Sequence, residues 1–163
     1  MEIIDEVNDN DEVVGQVSRQ EAHDKKLTHR IAHVFIFNDR GEMAMQLRSS
    51  EVEFAPNSWI TAGSGHVVAG KTYAEGAAAE LQEEAGIGNV PLEFMGKDEY
   101  VSDRGKLFLG VFRCQHNGPF VPSPKEVAKI DFFSLDEIGK MISRGEKFHP
   151  EFRFLLEKHY NIK

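Results

Sequence analysis

The stretch Gly65-His66-Val67-Val68-Ala69-Gly70-Lys71-Thr72-Tyr73-Ala74-Glu75-Gly76-Ala77-Ala78-Ala79-Glu80-Leu81-Gln82-Glu83-Glu84-Ala85-Gly86-Ile87 decides how the rest of the chain is read. Thr72 followed by Glu75 is a capping box, in which each side chain takes up an amide that the first helical turn leaves free. The alanines at 74, 77, 78 and 79 favour a helix, and Gly86 offers the left-handed residue on which helices end. The spacing predicts a helix over 73–85. At about 100° per residue, Glu80, Glu83 and Glu84 fall on one arc of it. The alanines are small enough to let the helix lie close to a sheet.

Three carboxylates on one arc repel each other by a few tenths of a kcal/mol per pair, and a divalent cation relieves the conflict. Oxygen-only ligands favour Mg²⁺, with Mn²⁺ as the alternative. An E-x-x-E-E run on its own reads equally as a solvated acidic face. The glycine loop before it, the cap and the stop at Gly86 point instead to a metal site.

Working outward, apolar runs at 31–37 and 43–47 flank Asn38-Asp39-Arg40-Gly41, a hairpin signal, and 59–62 reads as a short strand entering the glycine loop. Runs at 92–101 and 106–114 are joined by Ser102-Asp103-Arg104-Gly105, and 127–133 is a further strand. Ser134 with Glu137 caps a helix to about 143, and Pro150 opens a last helix to about 160. At the start, Ile3, Ile4 and Val7 face Val13, Val14 and Val17 across Asn8-Asp9-Asn10-Asp11, a second hairpin, and Ser18 with Glu21 caps a short helix to about 25. Interleaved strands and helices predict an α/β layered fold. The 163 residues fit a single domain over 1–163, with the hairpin and short helix of 1–27 packed on it.

The lone Cys114 makes no internal disulfide, and no Cys/His set has structural zinc spacing. A net charge of −8 and the lack of a dense Lys/Arg run exclude a nucleic-acid surface. No apolar run approaches a membrane span, and the acidic start differs from a signal peptide, so a cytoplasmic location is expected. A phosphate-bearing small molecule would need a metal ion or a local cationic pocket to offset the protein's own negative field.

Taken together, the segment resembles the Nudix box, G-x5-E-x7-R-E-U-x-E-E-x-G-U, where U is a bulky apolar residue. Gly65, Glu80, Leu81, Glu83, Glu84, Gly86 and Ile87 match, whereas Lys71 stands in the place of the first Glu and Ala79 in that of the Arg. The stretches 29–38, 46–49 and 126–138 look like the Nudix subgroup related to isopentenyl diphosphate isomerase. The resemblance implies an α/β/α sandwich with a mixed β-sheet and a loop-helix-loop catalytic box. It implies metal ligation by Glu80, Glu83 and Glu84, and pyrophosphohydrolase activity on a nucleoside diphosphate or a derivative of one. In the family, the missing Glu and Arg tend to pair and brace the loop against the helix.

Metal-assisted attack of water on phosphorus needs a carboxylate to take the proton. A box glutamate (Glu83 or Glu84) or a loop acid (Glu126, Asp98 or Glu99) can serve, and Glu126 is the choice among the loop acids because it follows Pro122-Ser123-Pro124 just before a strand. Arg48 and His66 are candidate substrate contacts, each with an ordinary reading as a surface ion pair or a loop histidine. His23, His29 and His33 read as structural rather than as metal ligands. Tyr100 and Phe108 read as core residues rather than base-stacking platforms. Two other functions are open to this fold. One is a ligand-binding module without turnover, to which the changes at 71 and 79 point. The other is isopentenyl diphosphate isomerization, against which Ser64 stands where that family has its cysteine. Substrate identity and oligomeric state have no signature in the sequence.

Overall fold

The computed structural model describes residues 2–163. The chain opens with β1 (Ile3–Val7) and β2 (Val13–Ser18), an antiparallel hairpin in the register Ile4↔Val17. Its turn closes because Asn8 Oδ1 accepts the amides of Asn10 and Glu12 at 2.9 and 3.0 Å. Ser18 then caps α1 (Arg19–Asp24) by accepting the Glu21 amide at 3.1 Å.

The main sheet is built around β3 (His29–Phe37), while β4 (Met43–Arg48) lies against β5 (Trp59–Thr61). A further strand, β6 (Gly63–His66), runs antiparallel to β3. Beyond the helix α2 (Tyr73–Glu80), β7 (Glu93–Ser102) and β8 (Gly105–Gln115) form a long hairpin, with β8 parallel to β3 from His29↔Leu107 to Phe37↔Gln115. The last strand, β9 (Val127–Phe133), pairs with β4, and α3 (Leu135–Ser143) and α4 (Pro150–Tyr160) complete the chain.

Alternation along β3 assigns its two faces. Ile31 and Phe35 enter one core with Ile138 and Met141 of α3 and Phe152, Leu155 and Leu156 of α4. Ala32, Val34 and Ile36 enter the other with Ala77, Leu81 and Ala85. The result is the expected α/β/α sandwich on a mixed sheet. Each of the largest buried side chains contributes about 1.5–3 kcal/mol by leaving water.

The structure corrects three expectations. The glycine loop is itself a strand: β6 has little side chain to signal it, because Leu81 and Glu80 occupy the space beside Gly63 and Gly65 where a Cβ would stand. The runs at 31–37 and 43–47 meet only at Phe37↔Met43 and then diverge, so the sheet splays open between β3 and β4. The helix predicted over 73–85 is α-helical only to Glu80 and widens to a π-helical turn at Leu81–Ala85, ending on left-handed Gly86.

Candidate functional site

The box loop leaves β6 and turns into α2, whose N-terminus is closed reciprocally. Thr72 Oγ1 accepts the Glu75 amide at 3.1 Å, and the Thr72 amide donates to Glu75 Oε1 at 2.9 Å. Val67 packs on the bare face of Gly76, where a Cβ would come within 3.0 Å of it. At the far end of the helix the Glu80 carboxyl lies directly over Gly65, so a side chain there would force that carboxyl to shift.

Widening the last turn brings Glu84 inward, a role such turns often have at functional sites. Its side chain is buried, and Oε1 accepts the Ser64 amide at 2.8 Å and Gln46 Nε2 at 3.0 Å. Glu83 stays exposed on the same side of the helix end. Burial pushes the Glu80 carboxyl up to about 9, with the charges of Glu84, Glu83, Glu2 and Glu126 adding to the rise. Burial likewise raises Glu84 to about 8 against the opposing pull of its two hydrogen bonds. Buried carboxylates that repel each other are what a divalent cation resolves. Gln46 Oε1, on the same side chain whose Nε2 donates to Glu84, is buried without a hydrogen-bond partner among the described residues. Carboxylate oxygens suit a hard divalent ion, although the ligand atoms of Glu80, Glu83 and Glu84 do not all lie within 4.8 Å of one another in this structure.

Glu126 occupies the turn before β9, exposed and close enough for its charge to raise both Glu80 and Glu84. Arg48 lies between Glu84, Glu126 and Glu151 electrostatically, and its Nε and Nη2 donate to the Phe54 carbonyl at 3.1 and 2.9 Å. Asp98 is not part of this group. It is buried on β7 and engaged by Lys158 Nζ at 2.8 Å and His159 Nε2 at 2.7 Å, an anchor for α4. Glu99 pairs at the surface with Lys106. Tyr100 packs on Phe154, and Phe108 is buried under Lys97 and Lys106, as core residues do.

His66 does not stand alone. Its Nε2 is 3.1 Å from His23 Nε2, and its ring stacks on His29 at 5.2 Å. Ligand nitrogens of His23, His29 and His66 all lie within 4.8 Å of one another, and burial lowers the pKa of all three. Neutral imidazoles in such a group can hold a borderline cation, so the reading of His23 and His29 as purely structural is too narrow. That reading suits His33, which is fully buried between Thr61 Oγ1 at 2.8 Å and Glu151 Oε1 at 3.0 Å. The trio had no sequence signal, because its members come from α1, β3 and β6. Gln46 had one: a polar residue inside the apolar strand Met43-Ala44-Met45-Gln46-Leu47.

The chain thus sets an acidic helix end over a glycine strand, on a splayed mixed sheet between helices. The NUDIX domain model matches residues 27–156, and the chain belongs to that family of pyrophosphohydrolases, which generally use divalent metals. It is 30% identical over its whole length to the Nudix hydrolase lmo0368 of Listeria monocytogenes, covering 96% of that protein. Over 92% of this chain it is 28% identical to Nudix hydrolase YfcD of Escherichia coli K12, covering 82% of that protein. The fold superposes on DR0079 of Deinococcus radiodurans with a TM-score of 0.87 at 23% identity, covering 98% of this chain and 99% of that one.

Proposed function

We propose that this protein hydrolyses a diphosphate linkage in a nucleoside diphosphate or a nucleoside diphosphate derivative, with Mg²⁺ as its metal and Mn²⁺ as a substitute. The observation that carries this reading is Glu84, buried and fixed by Ser64 and Gln46, with its pKa raised by that burial and further by the charge of Glu126. Glu80, Glu83 and Glu84 hold the ion. When bound, it neutralises phosphate charge and makes water more acidic. Arg48 and His66 contact the substrate, Arg48 supplying the cation that the net acidic chain otherwise lacks at this point. Glu126, or failing it a box glutamate, takes the proton as the water oxygen bonds to phosphorus. The bridging P–O bond breaks, and its electron pair leaves with the departing phosphate.

An isomerase needs a stronger acid than the Ser64 hydroxyl, and Cys114 is buried at the end of β8 with its thiol pushed up to about 11. Among the described residues no helix is long and apolar enough to cross a membrane, and we assign a small-molecule substrate and a cytoplasmic location. The test is incubation with Mg²⁺ and a panel of nucleoside diphosphates, nucleotide sugars, dinucleotides and triphosphates, with each product identified. Cleavage at a diphosphate linkage releasing a monophosphate is expected. Turnover only of simple monophosphate esters to inorganic phosphate refutes the reaction class, and tight binding without turnover identifies a binding module.

A further inference from the structure

The box departs from its family pattern at both positions that would tie loop to helix. Lys71 and Ala79 are exposed, and Lys71 joins no ion pair among the described residues. The loop is nevertheless held, from outside the matched domain. Residues of the N-terminal hairpin, which precede the matched span 27–156, grip it along its length. Ile4 forms an antiparallel bridge to Val68, the Ala69 amide donates to the Ile3 carbonyl at 2.9 Å, and the Gly70 amide donates to Asp5 Oδ2 at 3.0 Å. Ile4 is fully buried and Asp5 6% exposed, so these contacts are shielded from water.

A second grip falls on the helix. Asp11, in the hairpin turn, accepts the Tyr73 hydroxyl at 2.9 Å, and Tyr73 is the first residue of α2. The same carboxylate accepts Arg30 Nε at 2.7 Å and Lys97 Nζ at 2.9 Å, which anchors it to β3 and β7. Arg30 also gives its carbonyl to the Val67 amide at 3.0 Å, where the loop begins. Tyr73 is slotted over Gly110, whose missing side chain leaves room for the ring.

We propose that the N-terminal hairpin is the brace of the metal site, with Asp5 and Asp11 as positioning residues that fix the box loop and the first turn of α2. The box glutamates are thereby carried at a fixed distance from β6. The proposal rests on the metal-binding part of the function assigned above. It gives Asp5 and Asp11, which precede the matched span, a positioning role in the metal site.

Full-length Asp5→Ala and Tyr73→Phe variants test it, with Asp9→Ala, at the exposed tip of the same hairpin, as control. Tyr73→Phe removes one oxygen and no packing, so it serves if Asp5→Ala fails to fold. Two readouts need no substrate: Mn²⁺ affinity by water-proton relaxation, and hydrogen exchange of the peptide spanning 66–72. The loss of a buried hydrogen bond should speed exchange of that peptide about 5- to 50-fold. The Mn²⁺ dissociation constant should rise at least about 5-fold, while kcat at saturating metal stays within about 2-fold. Asp9→Ala should leave all three unchanged. Affinity and exchange within about 2-fold of wild type in both variants overturn the proposal, as does faster exchange across the whole chain with unchanged Mn²⁺ affinity. Wild-type protein that binds Mn²⁺ yet hydrolyses nothing defeats the hydrolase reading alone, and wild-type protein that binds no Mn²⁺ defeats both.

Discussion

Glu84 carries two opposed demands. Its Oε1 is saturated by Ser64 and Gln46, which fixes the side chain, while its burial penalises the charge that metal binding needs. In metal-free protein the sign follows directly. The folded-state pKa, raised to about 8, exceeds the ordinary value of 4.5, so the native state keeps a proton that the unfolded chain gives up. Stability from this group is intact below pH of about 4.5 and is lost as pH rises through about 8. Glu84→Gln keeps an oxygen for both donors and removes the charge. In chelator, its melting temperature should therefore decline less than that of wild type between pH about 5 and 8, and parallel curves would show that the carboxylate is not the source. Gly65 is the other residue on which the carboxyl cluster rests. Gly65→Ala drives a methyl into the Glu80 carboxyl, and a loss of about 1–3 kcal/mol with weakened Mn²⁺ binding is expected from chemical denaturation and metal titration.

At the scale of elements, the strands of the outer sheet and every helix start were legible because alternation and capping are local. Ser18, Thr72 and Ser134 all accept the amide three residues on, as their spacing to Glu21, Glu75 and Glu137 predicts. Ser134→Ala should cost about 1 kcal/mol in equilibrium unfolding, with no change in metal affinity. What escaped the sequence was set by distant partners. β6 is a strand because β3 offers it hydrogen bonds, not because Gly63-Ser64-Gly65 prefers to be extended. The turn at Leu81–Ala85 widens as Leu81 packs over Gly63 and Glu84 reaches the Ser64 amide, contacts that no helical periodicity encodes. The exposed pair of positions 71 and 79 gives a further test. Lys71→Glu and Ala79→Arg should each help little or harm alone, and together couple favourably by about 0.5–2 kcal/mol in a double-mutant cycle. Strict additivity would mean that the two positions do not communicate.

Across the whole molecule, two clusters of buried apolar side chains flank the sheet, and the box contributes Ala77, Leu81 and Ala85 to one of them. α4 seals the side remote from the box with Phe152, Leu155 and Leu156, all fully buried, and is pinned to β7 by Asp98. Leu156→Ala should cost about 2–5 kcal/mol in denaturant unfolding, since the cavity it leaves lies in the larger core. The box was readable from one segment, but its surroundings were not. Gln46, His23 and the hairpin acids come from β4, α1 and the β1–β2 hairpin, outside the box segment, so their roles depend on the closed fold. The central claim is that the box carboxylates, with Glu84 buried among them, make this protein a metal-dependent diphosphate hydrolase. The most direct measurement is kcat for release of monophosphate from the best diphosphate substrate, in Mg²⁺, for wild type and for folded Glu83→Gln and Glu84→Gln proteins. Losing one ligand charge should lower kcat at least about 100-fold in each variant, with helix content unchanged. Wild-type rates in both, or equal rates with and without chelator, would contradict the account.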